Sequence, residues 1–121
     1  MTEVYEALRA APAFADMSDE TLRRLAGVAT EAEFPPGHVL IEYDMPASGL
    51  YLILEGRVAV QAPTARLERG PGDVVGERAI ARGGKRGGRV SAITAVRCLS
   101  IAREHVEEEL AEQLLARYPE D

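Results

Sequence analysis

The chain is 121 residues long, carries a formal net charge of -6 and is 46% hydrophobic. That length suits one domain with its own core, the negative balance argues against general nucleic-acid binding, and no apolar run reaches the ~18 residues of a membrane span. A single cysteine, Cys98, excludes an internal disulfide, and an acidic N-terminus without a signal-peptide core makes the cytoplasm the expected compartment.

Taken in order, Glu3 to Ala10 sets Val4, Ala7 and Leu8 at helical spacing, which predicts a short helix. Pro12 and Phe14 follow as a turn that drops Phe14 into the core. Ser18 suits the N-cap of a second helix, with Asp19 and Glu20 in its first turn. That helix runs to about Val28 and buries Leu22 and Leu25. From Ala32 the pattern changes. After Phe34-Pro35-Pro36-Gly37, short strands separated by turn residues are predicted at Val39–Glu42, Leu50–Leu54, Arg57–Gln61, Ala65–Glu68, Asp73–Val75, Arg89–Ala95 and Val96–Ala102. Asp44-Met45-Pro46-Ala47 and Ala62-Pro63-Thr64 read as turns, and Glu55-Gly56 as a tight hairpin between two apolar strands. Cys98 lies in an apolar alternation and reads as a small core residue. Arg103 to Arg117 is a final helix with an apolar stripe of Val106, Leu110 and Leu114, stopped by Pro119. Its acidic residues read as a solvated face.

This order predicts a mainly β domain with flanking helices, a β-sandwich or jelly roll. Residues 1–30 supply N-terminal helices, 31–102 the β body and 103–118 a C-terminal helix.

The chemistry gathers between Gly70 and Ala92, in GPGDVVGERAIARGGKRGGRVSA. Five cations, Arg78, Arg82, Lys85, Arg86 and Arg89, fall within twelve residues without an intervening acid, in a chain that is negative overall. Glycines interleave with them and allow close approach of backbone N–H groups to a ligand. A short helix over Arg78–Ala81 would begin after Gly76-Glu77, and helix starts attract anions. Together these features describe a pocket for a small phosphate, with Glu77 placed to accept hydrogen bonds from hydroxyls. For Arg82 and Lys85, solvated loop cations and a role in steering an anion are equally good readings.

FPPGHVL, SGLYLILEGRVAV, LERGPGDVVGERAI and KRGGRVSAI together resemble the cyclic nucleotide-binding domain, the module of catabolite-activator-type regulators, of the cAMP-dependent kinase regulatory subunit and of nucleotide-gated channels. The resemblance covers nearly the whole chain and implies a double-stranded β-helix with a phosphate-binding cassette over residues 75–90. In the family the cassette reads roughly Phe-Gly-Glu-Leu-Ala-Leu, a short loop, then Arg-Ala-Ala-Thr-Val. Here Val75-Gly76-Glu77-Arg78-Ala79-Ile80 and Arg86-Gly87-Gly88-Arg89-Val90 stand in those places, with Glu77 and Arg86 nine residues apart. The resemblance implies that Glu77 accepts the ribose 2′-hydroxyl and that Arg86 pairs with the cyclic phosphate. Backbone N–H groups at Gly76, Ala79 and Gly87 are implied as further donors. A guanidinium suits this task, since it is planar, permanently charged and presents a fork of donors.

Several positions depart from the pattern. Arg78 replaces an apolar packing residue, and Arg89 replaces a Thr or Ser and would add a second cation beside the ligand. Gly87 stands where a Thr would accompany cGMP preference, which favours cAMP. The glycine pair Gly87-Gly88 raises the cost of ordering the loop on binding. Tyr43-Asp44-Met45 replaces the usual Glu-Gly-Asp turn. The chain stops at Asp121, so it is expected to carry neither a base-covering helix nor a DNA-reading helix, as a stand-alone module or a truncated one.

The expected function is a sensor or regulatory module of signal transduction that binds a cyclic nucleotide, with no catalysis and no further cofactor. Two alternatives stay open: a degenerate β-roll that acts as a protein-interaction or homodimerisation domain, and the sensor half of a transcription regulator. Direct DNA binding and membrane insertion are not expected. A nucleotide triphosphatase loop is excluded because Arg86 follows Lys85 where Ser or Thr is required. A metal site would need clustered histidines, and His38 and His105 are far apart. No Ser/His/Asp or Cys/His arrangement is apparent.

Overall fold

A computed structural model describes residues 2–42, 45, 48–77 and 88–117. The predicted turn residues Asp44, Pro46 and Ala47, the short helix expected over Arg78–Ala81 and the helix stop at Pro119 lie outside the described residues.

Helix α1 (Thr2–Ala10) leads through a 3-10 turn at Pro12–Phe14 to α2 (Asp19–Ala26). The Ser18 hydroxyl caps α2 by accepting from the Thr21 N–H at 3.1 Å, which satisfies one of the donors a helix start leaves open. The Tyr5 hydroxyl donates to the Asp19 carboxylate and joins the two helices. That bond, with the Arg23 guanidinium beside it, holds the Asp19 carboxyl below the ordinary carboxylate range.

Eight strands follow among the described residues. They are β1 (Thr30–Phe34), β2 (Val39–Ile41), β3 (Gly49–Glu55), β4 (Val58–Ala62), β5 (Ala65–Arg69), β6 (Val74–Val75), β7 (Arg89–Ala92) and β8 (Val96–Ala102). One sheet runs β1-β8-β3-β6 and the other β2-β7-β4-β5, and every pairing is antiparallel. This is the β-roll with flanking helices that the sequence predicts.

Strand alternation explains how the layers stack. In β3, Leu50 and Leu52 face the helices, whereas Ile53 faces the second sheet. Leu99 and Ile101 of β8 face the helices in the same way, and Val96 and Cys98 face the second sheet. The first sheet is therefore covered on both sides, so its central strands read as near-continuous apolar runs. The helix-side core is completed by Leu8, Phe14, Leu22, Leu25, Leu110 and Leu114.

Four expectations are corrected. Strand β1 is missing from the predicted set: TEAEF exposes Glu31 and Glu33 and half-buries only Ala32 and Phe34, as suits an edge strand paired on one side with β8. Glu55-Gly56 is not a hairpin. It carries the chain from β3 in one sheet to β4 in the other, and the two-residue hairpin is the next connection, where Ala62 pairs with Ala65. The predicted strand Arg89–Ala95 ends at Ala92. There the Ile93 N–H donates to the Arg57 carbonyl at 2.9 Å and the Thr94 hydroxyl accepts from the Arg57 N–H at 3.0 Å, turning the chain toward the first sheet. Finally, the last helix is two pieces: a 3-10 turn at Arg103–His105 and a helix α3 (Glu108–Leu115). Val106 between them is extended and nearly buried, so the break lets its side chain drop into the helix-side core.

Candidate functional site

The site is built from the turn between β5 and β6. Pro71 and Gly72 occupy the centre of the turn Gly70-Pro71-Gly72-Asp73, Gly72 has φ +89°, and the Asp73 N–H donates to the Gly70 carbonyl at 3.0 Å. Proline followed by a positive-φ glycine is what a type II turn requires. The Asp73 carboxylate accepts from the Gly70 N–H at 3.0 Å and braces the turn. The turn delivers Val74 and Val75 to pair with Leu52 and Tyr51 of β3. Gly76 then adopts φ +97°, a conformation that L side chains rarely enter, and Glu77 follows it into the interior.

Glu77 is 2% exposed. Its Oε2 lies 3.4 Å from Nη1 of Arg69, the last residue of β5, which is 5% exposed. The same Nη1 donates to the Val74 carbonyl at 2.8 Å. One guanidinium thus spans the turn, with β6 on one contact and the Glu77 carboxylate on the other. Alternation along β5 sets this apart from the neighbouring Glu68, which faces outward and is exposed. Arg66 and Arg57 pair with it and hold the Glu68 carboxyl below its ordinary range.

Of the predicted site residues, Gly76, Glu77, Gly88 and Arg89 are described, whereas Arg78, Ala79, Arg86 and Gly87 lie outside the described residues, as do Arg82 and Lys85. Gly88 presses against β4: a Cβ there would sit 2.6 Å from the Gln61 carbonyl oxygen, so packing alone already demands glycine. Arg89 opens β7 opposite Gln61 and donates from Nε to the Glu42 carboxylate at 2.8 Å, tying the start of β7 to the end of β2. Both partners are about half exposed, and such a pair contributes little, about 0–1 kcal/mol.

Arg69 is the residue that sequence reasoning missed. The predicted strand stops at Glu68, and a lone arginine ahead of a Gly-Pro-Gly turn reads as surface. The available signal was its register: Leu67 and Arg69 share a face of β5, so Arg69 points inward wherever Leu67 does. Two surface grooves among the described residues are lined by neither Arg69 nor Glu77: one lies beside Phe34 and Arg97, the other between α1 and the Pro71-Gly72 turn.

The family model described as the cyclic nucleotide-binding domain matches residues 31–113. The regulatory subunit of a cAMP-independent protein kinase A from Trypanosoma brucei superposes with a TM-score of 0.89 at 27% identity, over 99% of this chain and 46% of that one. A CRP-like cAMP-activated global transcriptional regulator of Mycobacterium tuberculosis is 30% identical over 122 residues, 91% of this chain and 54% of the regulator. An NTE family protein of the same organism is 32% identical over 94 residues, 76% of this chain and 16% of that protein. The chain thus spans about half the length of the regulator and the kinase subunit, and far less of the NTE family protein.

Proposed function

The chain belongs to the cyclic nucleotide-binding domain family, and on that premise we propose that it is a regulatory sensor that binds a cyclic nucleotide, cAMP in preference to cGMP, without catalysis. Glu77 accepts the ribose 2′-hydroxyl, Arg86 pairs with the cyclic phosphate, and N–H groups of Gly76, Ala79 and Gly87 add donors. The observation that carries this reading is the position of Glu77. It lies immediately after the positive-φ Gly76, nearly fully buried and charge-compensated, at the head of the segment whose cations and glycines suit a phosphate.

On binding, the phosphate draws the cassette around itself and the flanking helices repack. A ligand shifts such an equilibrium only by its differential affinity for the two arrangements. Titration calorimetry with cAMP and cGMP tests the reading. Heat with both, and tighter binding of cAMP, are expected. The absence of both heat and a melting shift at millimolar nucleotide would refute it.

One observation favours a second reading. The Glu77 charge is already compensated by Arg69, so the fold does not need a ligand to satisfy it, and the Trypanosoma brucei relative is itself described as cAMP-independent. A protein-interaction β-roll would show no nucleotide response and a defined oligomer by light scattering. The likeness to the Mycobacterium regulator supports a sensor role within a transcription regulator, which sequencing downstream of Asp121 tests.

A further inference from the structure

We infer that Arg69 is a positioning residue for ribose recognition: it compensates and orients the Glu77 carboxylate so that this group accepts the nucleotide 2′-hydroxyl. The inference rests on the cyclic nucleotide reading of the site.

A carboxylate that is 2% exposed has lost almost all of its water. It persists as an anion only where its charge is paired and its lone pairs are used. Arg69 supplies the pairing, with Nη1 3.4 Å from Oε2. The guanidinium is itself anchored, because Nη1 also donates to the Val74 carbonyl at 2.8 Å. Val74 is held in the first sheet opposite Leu52, and Arg69 in the second opposite Val58. The clamp is therefore referenced to both sheets rather than to a surface loop. A carboxylate has about four acceptor positions, so one such group can serve several donors at once. Fixing the carboxylate removes its rotamer freedom before ligand arrives, which lowers the ordering cost of recognition. The rest of the described surface offers no comparable group. Arg97 pairs with Glu31 and Glu55, Arg57 and Arg66 with Glu68, and Arg23 with Asp19, all in exposed settings.

The role makes a selective prediction. A site that hydrogen-bonds a hydroxyl discriminates against the analogue that lacks it, so the protein should bind cAMP roughly tenfold or more tightly than 2′-deoxy-cAMP. Arg69→Met keeps the volume and removes the clamp. It should bring that ratio to about one while leaving 2′-deoxy-cAMP affinity within about twofold, because the deoxy ligand never used Glu77. A residue that merely stabilised the fold would weaken both ligands alike. Glu77→Gln should lower the ratio similarly, and adding Arg69→Met in that background should change cAMP affinity no further.

Calorimetry with both nucleotides, and circular dichroism to confirm folding, decide the matter. A folded Arg69→Met chain with the wild-type ratio overturns the role of Arg69 alone. If Arg69→Met does not fold, the double variant decides, since it removes both charges together. A further loss of cAMP affinity relative to Glu77→Gln means that Arg69 acts independently of Glu77 and overturns the role. Wild-type protein that binds neither nucleotide overturns the binding reading itself.

Discussion

Arg24 on α2 and Glu107 at the start of α3 are joined by a 2.9 Å salt bridge, and the same guanidinium donates to the His105 carbonyl at 3.1 Å. One side chain near the beginning of the chain thus caps the break before its final helix. The helices flanking the roll are coupled directly as well as through the shared core of Leu8, Phe14, Leu22 and Leu110.

Because the pair is exposed, its own contribution is small. Arg24→Ala should cost about 0–1 kcal/mol, lowering the melting temperature by no more than about 5 °C. Thermal unfolding followed by circular dichroism checks this. A fall beyond about 10 °C would mean that the helix-side core depends on the cap more than its burial implies.

Arg86→Ala addresses the phosphate partner. Loss of a hydrogen bond to a charged group costs about 1.5–3 kcal/mol, on the order of a ten- to hundredfold weakening of cAMP binding. Unchanged affinity in a titration would remove Arg86 from the site.

Gly88→Ala separates packing from ligand contact. The added Cβ meets the Gln61 carbonyl oxygen at 2.6 Å, and overpacking of this kind costs about 1–3 kcal/mol. The loss should appear in urea unfolding of nucleotide-free protein. A wild-type midpoint would show that β4 and β7 have room to move apart.

Cys98 lies fully buried between the sheets, and burial pushes its thiol up to about 11 from 9.0. The folded value is the higher one, so the contribution is fully present below about pH 9 and is lost as pH rises through about 11. Stability should decline over that window, and Cys98→Ser should flatten the decline. Iodoacetamide should label the thiol in urea and spare it in the native state. Rapid native labelling would contradict the burial.

The approach to the candidate site was legible in advance where its signals are local. Glycine and proline restrict backbone angles within a few residues, so the strand expected at Asp73–Val75, found at Val74–Val75, could be placed from the chain alone. Glu77 was singled out by its place at the head of the cation- and glycine-rich segment and by the family resemblance. Arg69 was not, because its importance depends on a carboxylate eight residues away whose orientation a turn must first create. The Glu55-Gly56 connection misled for a related reason. Two apolar strands joined by a short turn look alike whether they pair in one sheet or face each other across two, and only the stacking of the layers separates the cases.

From its order of residues alone, this chain specified a mainly β domain with flanking helices, the buried alternation around Cys98 and a glycine- and arginine-rich segment fit for an anion. These follow from side-chain periodicity and backbone restriction, which act over short separations. The assignment of strands to sheets, the break at Val106 and the Arg69–Glu77 clamp emerged only on folding. Each depends on which distant surfaces exclude water together, and a buried charge finds its partner only once that exclusion has made pairing necessary.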